Sequence, residues 1–134
     1  MTRRQAREQA FTLIFEKSFH PEITVEEMIS MAVEARYLQT DEFAGLRAKT
    51  ADEQQPEIGS IIENKAIGRK KDRISRVSLS LLRLALCEML FIEEVPTNVS
   101  INEAVELAKL YASQEDAAFI NGVLGAAARK LEAQ

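Results

Sequence analysis

Residues 74–92 read ISRVSLSLLRLALCEMLFI. Leu79, Leu82, Leu86, Met89 and Leu90 recur at three- and four-residue spacing, the period of a helix with a buried stripe. Few of the other positions are polar, so this helix packs on several sides and belongs at the centre of the molecule. Val95-Pro96 ends it. Glu88 lies among the core positions, and a buried carboxylate without a partner is expensive, so it must reach a hydrogen-bond donor. Cys87 is a small core residue in the same run.

The same period extends outward in both directions, and strand-like alternation is scarce. The chain is therefore all-α, with about seven helices. The first runs from about Thr2 to Phe19 and stops at His20-Pro21. The second opens at Thr24, which has capping-box spacing with Glu27, and buries Met28, Ile29, Ala32, Val33 and Leu38. A weaker third covers Asp41 to about Glu53. Pro56 opens a fourth, with Ile58, Ile61, Ile62 and Ile67 on its apolar side and Gly68 as its stop. Beyond the central helix, the spacing of Ser100 and Glu103 predicts a capped start for helix six, running through Tyr111. A cap-like turn at 113–116 leads to helix seven, from about Ala117 to Leu131. Gly122, Gly125 and Ala126 form a smooth strip that allows a neighbouring helix to come close.

The chain has 134 residues, one domain of ordinary size, and its 46% hydrophobic content is enough for a core. No run approaches the roughly 18 apolar residues of a membrane span, and the N-terminus lacks the pattern of a secretory signal. One cysteine excludes an internal disulfide framework and fits a reducing, cytoplasmic setting. There is no phosphate-cradling glycine loop, metal-ligand cluster or nucleophile–base pair, so neither an enzyme nor a cofactor is expected. The net charge is −4, but its distribution is uneven: residues 1–19 carry +2, 20–64 carry −7, 65–76 carry +5 and 77–134 carry −4. Basic charge is thus concentrated in two short blocks, as in proteins that bind nucleic acid locally.

Arg3, Arg4 and Arg7 fall within roughly 100° of arc on the first helix. They stand where the helix dipole disfavours cations. Two readings fit: a solvated terminus, or a phosphate-binding face, since arginine forks match phosphate oxygens. The block Lys65, Arg69, Lys70, Lys71, Arg73 and Arg76 is either a solvated connector or a second nucleic-acid footprint. Phe119, just past the 113–116 turn, either fills the core or stacks on an unpaired base. Phe11, Phe15 and Phe19 have the spacing of core packing, with Phe15 at the edge of a partner surface as the alternative. His20 reads as a helix-end residue.

Three stretches carry a family resemblance. They are Leu82-Arg83-Leu84-Ala85-Leu86-Cys87-Glu88, Ile101-Asn102-Glu103-Ala104-Val105-Glu106-Leu107-Ala108-Lys109 and Phe119-Ile120-Asn121-Gly122-Val123-Leu124. Together with the opening Arg3-Arg4-Gln5-Ala6-Arg7-Glu8, they resemble the NusB family of bacterial transcription antitermination factors. The resemblance is looser over residues 21–64. It implies two small helical bundles packed together, about 1–70 and 71–134. It also implies binding of boxA RNA in nascent ribosomal RNA transcripts together with NusE, a small-subunit ribosomal protein. Other Nus factors and RNA polymerase would be met indirectly, and self-association into a homodimer is compatible with the family. By position, Arg3, Arg4, Arg7, Asp116 and Phe119 match the RNA surface, and Phe15 and Arg76 the NusE-facing side. The chain departs from the family at Cys87, where tyrosine is usual, and at Gly125, where aspartate is common. The alternative is a helical interaction module that works through partners or itself without RNA. A third reading is an RNA-docking domain serving a separate RNA-modifying enzyme.

Overall fold

A computed structural model describes residues 2–35, 42–66, 68–69 and 73–133. They form seven helices: α1 (Arg3–Phe19), α2 (Val25–Glu34), α3 (Glu42–Glu53), α4 (Gln55–Lys65), α5 (Arg76–Phe91), α6 (Thr97–Tyr111) and α7 (Gln114–Glu132). The expected apolar positions Leu38 and Ile67 lie outside the described residues, as does the bundle boundary expected near residue 70.

Local chemistry sets most of the helix ends. Thr2 caps α1 with a full capping box. Its hydroxyl accepts from the Gln5 amide at 3.1 Å, and the Gln5 side chain accepts from the Thr2 amide at 2.9 Å. Thr24 caps α2 by accepting from Glu27, Ser75 caps α5 and Ser113 caps α7. Gly68, just past α4, has φ +87°, a left-handed conformation that glycine adopts without strain. Two starts differ from the expectation. α6 begins at Thr97, with Pro96 as its N-cap, so Ser100 is an interior residue whose buried hydroxyl has no hydrogen-bond partner among the described residues. Proline's fixed φ is pre-set for a helix start, and it places the first turn ahead of the serine. α7 begins three residues before Ala117, because Ser113 caps it directly and Asp116 falls in its first turn.

α5 is the hub and packs against α1, α3, α4, α6 and α7. Leu81, Leu82, Leu84, Leu86 and Cys87 are fully enclosed, while Leu79, Met89 and Leu90 are only partly buried. α3 meets α1 and α5 through Ala44, Ala48 and Ala51, side chains short enough for the backbones to approach. Val33 faces outward on α2.

The smooth strip on α7 does not seat a neighbouring helix. Gly122 is exposed, and a Cβ there would meet nothing within 4 Å. At Gly125 it would meet only the Arg129 side chain, at 3.5 Å. Gly122→Ala should therefore gain about 0.5–1 kcal/mol from reduced backbone freedom in the unfolded chain. Urea denaturation checks this, and a loss of stability would contradict it.

Candidate nucleic-acid interface

The N-terminal arginines do not share one fate. α1 turns Arg4 toward α6, where its Nε donates to Glu103 Oε2 at 3.0 Å. That hydrogen bond, and then the carboxylate's charge, hold the Arg4 pKa above its ordinary value. Arg3 is exposed, with its guanidinium 4.6 Å from the centre of the Phe43 ring. Arg7 stands one turn deeper in the same column and is only 5% exposed. Its Nε donates to both Glu88 oxygens, at 3.1 and 3.2 Å. Arg47, on the alanine face of α3, donates to Glu88 Oε2 at 2.6 Å. The Arg47 guanidinium also lies 3.3 Å from the Phe43 centroid. The single exposed face expected for Arg3, Arg4 and Arg7 is thus divided. Two guanidinia remain at the surface, and the third holds a buried carboxylate between α1, α3 and α5.

The second cluster forms at the start of α7. Asp116 lies in the first turn, where the helix dipole favours an anion. Phe119 is partly buried one turn on, and the Arg69 guanidinium covers its ring at 4.2 Å. Arg69 also pairs with Asp116 at 3.0 Å and with Glu115 at 3.3 Å. Arg69, one of the basic residues of the 65–76 stretch whose role the sequence leaves open, thereby reaches the same surface as Asp116 and Phe119. Arg4 pairs with Glu103 while Tyr111 packs on Phe11 at 5.3 Å, so α1 and α6 run side by side in one direction. From Glu103 to the end of α6 is roughly 12 Å along the axis, which sets the scale of separation between the arginines and the α7 cluster.

Phe15 and Arg76 come together through a third residue. Phe15 meets Phe11 at 5.9 Å and Phe19 edge-on at 5.0 Å. The Arg76 guanidinium lies 4.4 Å over the Phe19 ring and donates to the Ser18 carbonyl at 2.7 Å.

The NusB family model matches residues 4–129. The chain belongs to the NusB family. Transcription antitermination protein NusB of Lachnoclostridium phytofermentans is 39% identical over 127 residues, covering 92% of this chain and 96% of that protein. Among solved structures, T. maritima NusB superposes with a TM-score of 0.81 at 28% identity, over 96% of this chain and 92% of that one. A chain from the crystal structure of antitermination factors NusB and NusE in complex with dsRNA gives 0.79 at 29% identity, over 94% and 96%.

In this NusB-family chain the α5 core includes a thiol. Cys87 is enclosed, and its Sγ donates to the Arg47 carbonyl at 3.6 Å. Burial pushes its pKa up to about 12. The thiol therefore stays protonated across the physiological range, and native protein should resist iodoacetamide at pH 8 but react fully in urea. Rapid labelling without denaturant would contradict this. No described helix is long and apolar enough to cross a membrane.

Proposed function

We propose that this chain is a transcription antitermination factor of the cytoplasm. In this reading it binds boxA-type RNA in nascent ribosomal RNA transcripts together with NusE and supports processive transcription by RNA polymerase. It does so by binding alone, without catalysis or cofactor. The observation that carries the reading is its full-length likeness to a chain solved with NusE and dsRNA. The site chemistry supports it: exposed Arg3 and Arg4 supply phosphate contacts, and Phe119 with Arg69 offers stacking planes for an unpaired base. Phe15, Phe19 and Arg76 supply the side toward NusE. We assign α1–α4 to one bundle and α5–α7 to a second.

The test is fluorescence anisotropy with a short boxA RNA and a scrambled control, with and without NusE. The boxA RNA should bind more tightly than the scramble, and NusE should tighten it further. Stacking on an aromatic ring is worth about 1–3 kcal/mol per base, so Phe119→Ala should weaken binding by at least about fivefold. Equal binding of both RNAs, with NusE still bound, would favour an interaction module instead.

A further inference from the structure

A groove of about 660 Å³ lies between the C-terminal end of α1, the α3–α4 junction and the first two turns of α5. Its charged lining among the described residues is Lys17, Arg76 and Arg83, opposed by one acid, Asp52. Lys17 donates to the carbonyls of Pro21 and Ile23, and Arg76 to that of Ser18. Carbonyls satisfy N–H donors but leave the positive charge uncancelled. α5 also begins here with no acid in its first turn, so its positive dipole end adds to the field.

Arg83 is the anomaly. It is partly buried, and among the described residues it makes neither a hydrogen bond nor an ion pair. Burial first, and the Arg76 charge second, lower its pKa, with Asp52 opposing. The Asp52 carboxylate itself accepts from Gln55 Nε2 at 3.0 Å. An arginine presents five donors and cannot shed its charge, so desolvating it without a partner costs stability. Arg76 lies two turns away on the same face of the same helix, which adds like-charge repulsion. The Asp52 charge offsets part of this cost, but among the described residues no group bonds the fork, which leaves its donors open to a group from outside.

We propose that this groove docks an acidic side chain of the protein partner, with its carboxylate seated on the Arg83 fork and flanked by Arg76 and Lys17. This rests on the NusE reading above, and NusE is the occupant. Two observations favour a protein carboxylate over an RNA phosphate. Apolar groups flank the cations: Ile74 and Leu79 line the groove beside them, and Phe19, 50% exposed, lies next to it under the Arg76 guanidinium. The groove also lies roughly 20 Å along α1 from Arg3 and Arg4, away from the exposed cations that a phosphate backbone would follow.

Titration calorimetry of the full chain with purified NusE, at two salt concentrations, tests the proposal. Arg83→Gln should weaken NusE binding by at least about tenfold and flatten its salt dependence. Tm should stay equal or rise, and binding of boxA RNA by the chain alone should not change. Arg83→Lys keeps the charge but loses the fork, and should fall between wild type and Arg83→Gln. Asp52→Asn should tighten binding at low salt. Wild-type binding with Arg83→Gln within twofold of it overturns the groove and leaves the antitermination reading intact. So does a clear drop in Tm, or a loss of RNA rather than NusE binding. Failure of the wild type to bind NusE overturns the partner reading itself, and the groove's occupant with it.

Discussion

Glu88→Ala should be the most damaging single substitution in the molecule, with a loss of about 3–5 kcal/mol. Glu88 is 1% exposed and accepts from Arg7 and Arg47 together. Removing it leaves two desolvated guanidinia facing each other between α1, α3 and α5. Against a typical total stability of roughly 5–15 kcal/mol, that is a large fraction. Arg7→Ala and Arg47→Ala should each cost less, because the other arginine still neutralises the carboxylate. Replacing all three together by Leu or Met of similar volume should restore much of the loss, since a buried ion cluster is costly to break but need not outperform an apolar core. Thermal and urea unfolding followed by circular dichroism measures this order. A loss below about 1 kcal/mol for Glu88→Ala would show that the site relaxes and admits water.

The need for this cluster was legible in the sequence, but its membership was only partly so. A carboxylate inside ISRVSLSLLRLALCEMLFI demands donors, yet nothing in that run names them. Arg7 was hidden in a basic opening where three arginines on one arc look alike. Which of them points inward depends on where α3 packs, a tertiary fact. Arg47 was harder still, because the core face of α3 is built from Ala44, Ala48 and Ala51, which give little hydrophobic contrast. The strongly patterned helices, the Thr24 cap and the capped turn at Ser113 could be read directly, because they depend on local chemistry. Ser100 misled because capping-box spacing does not reveal that Pro96 has already started the helix. Gly122 and Gly125 misled because smallness signals close approach only if a neighbour is there. Arg69 gave no signal of its own in a run of cations, and only its own placement against α7 shows it over Phe119.

The same division of arginines predicts that RNA binding and stability will separate. Arg3→Ala with Arg4→Ala should leave unfolding nearly unchanged. Both side chains are exposed, surface ion pairs such as Arg4–Glu103 contribute little, and cations in a first helical turn oppose the dipole. RNA affinity should nevertheless fall by about tenfold at low salt. Each phosphate that a cation neutralises on a single strand steepens the fall of log K with log salt by about 0.7, so the double variant should show a slope shallower by roughly 1.4. Arg7→Ala should also reduce RNA binding, but only together with Tm, because it acts on the α1–α3–α5 junction. A triple-alanine variant would merge the two effects and so measure neither. Anisotropy titrations across a salt series, set beside melting curves, separate them. If the double variant keeps the wild-type affinity and slope, α1 does not hold phosphate, and the RNA surface must centre on Arg69, Asp116 and Phe119.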